Sequence, residues 1–174
     1  RLGLIVACLN WRLTDEEQRH CLQLVEPALL LVSPRYAAAQ QRLAGLGDVT
    51  PQVITLGSDF DAWRDAAAPL GEQDDVQAED GLVILYTSGT TGLPKGALIS
   101  QRAMVARALV FSAEYGIRGD DAFIAWSPLF HMAATDHSLA TLILGGRVLV
   151  YDGLDLPRIC GWAEAHAQGW LLAM

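Results

Sequence analysis

Short apolar runs alternate along this chain with stretches in which apolar residues recur every three or four positions, the rhythm of strand–helix–strand units on a parallel sheet. "GLIVACL" at the start reads as a buried strand. Thr14 with Glu17 three residues on forms a capping box, which predicts a helix whose stripe includes Leu22, Leu24 and Val25. "ALLLVS" is a second strand, residues 34–46 a second helix, and "QVITL" a third strand. From Gly57 to Asp80 the pattern dissolves into Gly, Pro and clustered acids, which predicts a linker or surface excursion. The rhythm resumes with the strand "LVILY", a glycine- and hydroxyl-rich loop, and a helix over Gln101 to Tyr115. A strand "AFIAW", the tetrapeptide "PLFH", a small-residue helix from Ala133 to Leu144, a strand "RVLVY" and a helix from Leu156 to about Ala167 follow. "GWLLAM" reads as the beginning of one more strand. The expected architecture is α/β, in βαβ layers with parallel strands. It divides into a first lobe over 1–56, an acidic connection over 57–81 and a second lobe over 82–174.

Composition narrows what such a fold can do. Apolar residues make up 52% of the 174 positions and charged residues only 18%, so part of the apolar surface is expected to face something outside this chain. Twelve basic residues, scattered singly, oppose twenty acidic ones, for a net charge of −8, which argues against nucleic acid and anionic membranes as partners. Cys8, Cys21 and Cys160 form no CxxC pair, and an odd count fits no disulfide framework, so a reducing cytoplasm is the expected compartment. No apolar run reaches the roughly 18 to 20 residues of a membrane span. "LGLIVACL" after Arg1 has the look of a signal peptide, but "NWRLTDEE" turns directly into a helix where a cleavage region would be needed.

The chemistry concentrates in "YTSGTTGLPKG", Tyr86 to Gly96. A strand giving way to glycines and hydroxyls offers free backbone N–H groups, which together with Thr and Ser side chains surround phosphate oxygens, while a lysine supplies positive charge. This is not the GxxxxGK[ST] loop of P-loop enzymes: counted from Gly89, Pro94 stands where glycine is required and Gly96 where Ser or Thr is required. The bland alternative is an ordinary glycine-rich turn with an exposed lysine.

The eleven residues from Tyr86 to Gly96 resemble the signature loop of the adenylate-forming superfamily, which includes acyl- and aryl-CoA synthetases, firefly luciferase and peptide-synthetase adenylation domains. "LNWRLTDEE", "PLFH" and "LILGGRVLVY" resemble further family segments in order and spacing, and the first two favour the acyl- and aryl-CoA synthetases. The resemblance implies an ATP-dependent acid–CoA ligase. A carboxylate attacks the α-phosphorus of MgATP to give an acyl-adenylate and pyrophosphate, and the thiol of coenzyme A then takes the acyl group. It makes Thr87, Ser88, Gly89, Thr90, Thr91, Gly92 and Lys95 the expected triphosphate contacts, with Lys95 countering charge on the departing pyrophosphate. It places His131 beside the substrate carboxylate, with Ala133, Ala134 and Thr135 leaving room for the acyl group. Ser100-Gln101-Arg102 departs from the family's Ser/Thr-His-Arg.

By the same resemblance, the adenine motif with its magnesium-linked glutamate, the ribose-binding aspartate and the C-terminal domain with its adenylation lysine are expected beyond Met174. No protein ligand for Mg2+ is therefore expected here, and the chain alone is expected to be inactive, the remainder of the ligase being its partner. The competing expectation is a naturally short, catalytically inactive remnant that binds nucleotide or another protein. Of the other candidates, His20 and His166 read as solvated helix residues, and His137 follows His131 at a spacing that does not share a helix face for metal binding. Asp120-Asp121 and Asp74-Asp75 read as turn residues, the five tryptophans as core or edge aromatics, and Cys160 lacks a base to activate it.

Overall fold

The computed structural model describes residues 3–44, 49–69, 71, 75–87, 92–165 and 171. The elements run β1 (Val6–Ala7), α1 (Asp15–Val25), β2 (Leu29–Val32), α2 (Ala37–Ala44), β3 (Gln52–Thr55), α3 (Ser58–Asp65), β4 (Gly81–Thr87), β5 (Lys95–Ser100), α4 (Gln101–Tyr115), β6 (Ala122–Ala125), α5 (Met132–Ile143), β7 (Arg147–Val150) and α6 (Leu156–Ala165). The fold is α/β, and the pairs β1–β4, β2–β3 and β6–β7 are parallel, as the alternation predicts. Among the described residues the strands are distributed over three small sheets, ordered β1-β4-β5, β2-β3 and β6-β7.

Two compact units emerge, and they do not follow the sequential division at 57–81. The first comprises residues 1–2, 9–76 and 86–97, the second 3–8, 77–85 and 98–174. The reason is that Tyr86 and Pro94, on either side of the signature connection, bond to α1 of the first βαβ segment, although they lie beyond the acidic stretch.

In the first unit, α1 begins with the predicted capping box. The Glu17 N–H donates to Thr14 Oγ1 at 3.3 Å and the Thr14 N–H donates back to Glu17 Oε2 at 2.8 Å, satisfying two helix-end donors. That bond from the Thr14 backbone holds the Glu17 carboxyl below its ordinary range. Arg42 of α2 donates from Nε to Asp15 at 2.9 Å, ties α2 to α1 and lowers the Asp15 carboxyl likewise. Cys21 is fully buried on the inner face of α1, and burial pushes its thiol up to about 11. The first turn expected of α2 is a 3-10 turn over Pro34–Tyr36, and Tyr36 stacks on Trp11 with ring centroids 5.7 Å apart. Within the stretch expected to be irregular, Ser58–Asp65 is helical. It has no buried residue and is held by the Asp61–Arg64 ion pair and Phe60–Trp63 ring contact. Local i,i+3 interactions suffice there in place of an apolar stripe.

In the second unit, Ser100 caps α4 by accepting from the Ala103 N–H. Val83, Leu85 and Met104 form a core cluster with Cys8, Leu82, Ile99 and Leu139 against it. All four residues of β6 are buried. The side chains α5 buries are small, Ala134, Thr135, Asp136, Ser138, Ala140 and Thr141, which lets it lie close to α4. Where α5 turns into β7, a Cβ on Gly146 would meet the Asp121 carbonyl oxygen at 2.6 Å, so only glycine fits without a backbone shift. Asp121 is a turn residue, as expected: its Oδ2 accepts from the Arg118 N–H at 2.8 Å.

β1 differs from the expectation of a long buried strand. It pairs over two residues, and Leu4, Ile5 and Val6 are exposed. With Leu98, Val105 and Leu109 they show where this unit's apolar surplus lies. Residues 169–174, expected to begin a strand, lie outside the described residues except for 171.

Candidate functional site

β4 and β5 are neighbours in one sheet, and residues 88–94 connect them. Seven residues are too few for a parallel crossover, so the strands form a hairpin whose connection carries the signature. Thr87, the last residue of β4, and Lys95, the first of β5, therefore stand at the same end of the pair, both exposed. Gly92 has φ +107°, a conformation that L side chains rarely adopt, and a Cβ there would meet nothing within 4 Å. Backbone conformation, not crowding, requires glycine at this position. Pro94 is buried between these exposed neighbours. Ser88, Gly89, Thr90 and Thr91 lie outside the described residues.

Both stems of the connection are fastened to one turn of α1. His20 Nε2 lies 3.0 Å from the Pro94 carbonyl oxygen, and the Tyr86 hydroxyl donates to the Cys21 carbonyl at 3.1 Å. His20 is thus partly buried and engaged, contrary to its reading as a solvated helix residue. Its partner lies 74 positions away, so no local pattern marks it.

His131 belongs to the second unit. It follows β6 by a short connection and occupies the N-cap position of α5, with its imidazole exposed and tilted against Phe130 at 4.6 Å between ring centres. Its side chain makes no capping bond, which leaves the ring at the positive end of the helix. The room expected beside it is partly filled. Ala134 and Thr135 are buried, and Thr135 Oγ1 donates to the Leu129 carbonyl at 2.6 Å. His137 is structural: Nδ1 lies 2.6 Å from the Ala133 carbonyl, and the ring stacks on Phe111 and Phe123. Next to it, Asp136 is buried and paired with Arg107 of α4, and its other oxygen has no hydrogen-bond partner among the described residues.

Among the described residues no three His, Cys, Asp or Glu side chains group so as to hold a metal ion, and no residue here is assigned to magnesium. None of the described helices is long and apolar enough to cross a membrane. Cys8, Cys21 and Cys160 are all free thiols. At the departure Ser100-Gln101-Arg102, Arg102 pairs with Glu79 and the Gln101 N–H donates to the Asp80 carbonyl, so the helix start is anchored without an imidazole.

Known proteins match this arrangement. The chain is 33% identical to indoleacetate–CoA ligase of Aromatoleum aromaticum over 91% of its length, covering 34% of that protein. It is 32% identical to sulfoacetate–CoA ligase of Cupriavidus necator over 97% of its length, again covering 34% of the relative. It thus spans about a third of the length of these curated relatives. Among solved structures, ATP-bound MatB from Rhodopseudomonas palustris superposes with a TM-score of 0.74 at 26% identity, over 90% of this chain and 32% of that one. O-succinylbenzoate coenzyme A synthetase from Bacillus subtilis, crystallised with ATP and magnesium, shares the fold with a TM-score of 0.80 at 20% identity, over 98% of this chain and 43% of that one. The family described as AMP-binding enzyme matches residues 1–168, nearly the whole chain, and to that family this protein belongs.

Proposed function

We propose that this chain carries the triphosphate-binding part of an ATP-dependent acid–CoA ligase. The observation that carries the reading is the hairpin with Thr87 and Lys95 at one end, in a chain a third identical to CoA ligases. A carboxylate attacks the α-phosphorus of ATP, and the bond to pyrophosphate breaks. The leaving group gains negative charge, which Lys95 and the N–H and hydroxyl groups of Thr87, Ser88, Gly89, Thr90, Thr91 and Gly92 stabilise by position rather than by covalent chemistry. His131, at the start of α5, orients the carboxylate, an anion that a helix N-terminus also favours. Coenzyme A then attacks the acyl-adenylate through its thiol and releases AMP. Magnesium bound to the phosphates would offset their charge, and no residue named above is assigned to hold it. A cytoplasmic setting, where ATP and coenzyme A are abundant, fits free cysteines. The relatives named above are ligases of indoleacetate and sulfoacetate, acids that share a CH2–carboxylate unit and differ in the group it carries, so the substrate class is a carboxylic acid.

Acid-dependent AMP release by the protein as its source makes it is the test, with a panel of aromatic, short and fatty acids. Lys95→Ala should lower the rate about 10²- to 10³-fold without lowering the melting temperature, since Lys95 is exposed. Lys95-dependent ATP binding with no AMP release from any acid would favour the inactive, nucleotide-binding remnant. ATP turnover and binding untouched by Lys95→Ala would overturn both readings.

A further inference from the structure

The two polar contacts between α1 and the hairpin stems are alike in placement. Tyr86 immediately precedes Thr87, and Pro94 immediately precedes Lys95; their partners are the consecutive α1 residues Cys21 and His20. Each tether therefore sits one residue before a side chain proposed to touch phosphate. Neither is a surface contact, because Pro94 is buried and His20 and Tyr86 are partly buried. A carbonyl oxygen only accepts, so in the Pro94 contact His20 Nε2 carries the proton and donates it.

We infer that His20 is a positioning residue for nucleotide binding: its N–H fixes the Pro94–Lys95 peptide, and with it the direction in which Lys95 leaves β5. This rests on the reading of the loop as a triphosphate cradle. Two physical consequences follow from the bond. A peptide plane held at its carbonyl cannot rotate freely, so the adjoining Lys95 Cα–Cβ vector is set before ligand arrives and less ordering is left for binding. A carbonyl oxygen engaged by an imidazole N–H is also kept from turning its lone pairs toward an incoming anion, which would repel it. On the Thr87 side the tether holds a side chain instead of a peptide: the Tyr86 hydroxyl donates to the Cys21 carbonyl of α1. α1 itself is held by its capping box and by the Arg42–Asp15 bond, so the brace is anchored at its other end.

The test compares ATP with AMP, because AMP lacks the β- and γ-phosphates that the loop is proposed to hold. In the protein as its source makes it, His20→Leu should raise the dissociation constant for ATP about tenfold, the value of one lost buried hydrogen bond, and leave that for AMP unchanged. His20→Gln, which can present an amide N–H at a similar reach, should recover most of the loss, and Tyr86→Phe should shift ATP binding in the same direction as His20→Leu. A purely structural role would weaken ATP and AMP together with the melting temperature. Should His20→Leu not fold, His20→Asn, whose donor is too short to reach Pro94, takes its place. Unchanged ATP affinity in these variants, equal losses for both nucleotides, or no recovery with His20→Gln overturns the inference. Lys95→Ala is the control that separates the two failures. If it too leaves ATP binding unchanged, the triphosphate reading falls; if it weakens ATP binding while His20→Leu does not, only the brace falls.

Discussion

Thr87, Gly92 and Lys95 stand exposed around a connection whose conformation depends on a glycine, whereas Thr135, Asp136, Ser138 and Thr141 are buried in a helix whose small side chains let α4 come close. In the first region the side chains with chemistry make almost no contribution to packing. In the second, polar groups are packed and most have partners within the fold: Thr141 donates to the His137 carbonyl at 2.7 Å, Thr135 to that of Leu129, and Asp136 pairs with Arg107, while Ser138 Oγ and one Asp136 oxygen are buried without a hydrogen-bond partner among the described residues. The contrast teaches that a polar residue's type says little about its task; what decides is whether its hydrogen bonds are used up inside the fold. Ligand contacts need the unused kind, and the scaffold that aims them needs the other.

Substitution in each region should therefore cost a different quantity. The largest effect on stability is expected at Arg107→Met, which leaves the buried Asp136 carboxylate without a counter-charge, and a loss of about 3 kcal/mol in denaturant unfolding should follow. ATP affinity of the folded fraction should stay the same. Replacing both partners, with Asp136→Asn added, should recover much of the loss; failure to recover it would mean that the pair does more than neutralise charge. Gly92→Ala is the converse. Holding alanine at φ +107° costs about 1–3 kcal/mol, which the connection can escape by changing shape, so ATP binding should weaken several-fold while the unfolding midpoint scarcely moves. Equal losses in both measurements would erase the distinction between the regions.

The smallest effect should come from acid. Asp15 and Glu17 have carboxyls held below their ordinary values by Arg42 and by the Thr14 backbone. Such groups stabilise the folded state above their unfolded values near pH 4, and that contribution disappears as pH falls through the lower folded values. Thr14→Ala, which removes one cap bond at a cost of about 1 kcal/mol and the hydroxyl's bond to the Glu17 carboxylate but keeps the backbone N–H, should flatten this part of the stability–pH curve only in part. A curve unchanged in shape would show that the Thr14 hydroxyl does not contribute to it.

Much of this architecture was legible in the sequence because the signals were local. Thr14 and Glu17 mark the start of α1, and α4 occupies the expected Gln101–Tyr115. β5 was not foreseen, because Lys95 to Leu98 are all exposed and the strand shows no alternation of buried and solvent faces. α3 escaped for a related reason: with no buried residue it has no stripe to read. The exposed stretch at β1 shows the reverse: an apolar run does not by itself establish burial. Of the candidate site, the loop residues, Lys95 and His131 could be proposed from spacing and resemblance. His20 could not, because its meaning depends on a carbonyl that only folding brings within reach.

The three cysteines give this protein a built-in clock for its own opening. Cys160 is exposed on α6 and is open to an alkylating reagent at once, while burial holds the Cys8 and Cys21 thiols up and keeps the fraction of reactive thiolate small. Cys21 lies in the first unit and Cys8 in the second, so the order in which the two slow thiols gain mass under mild denaturant reports which unit loosens first.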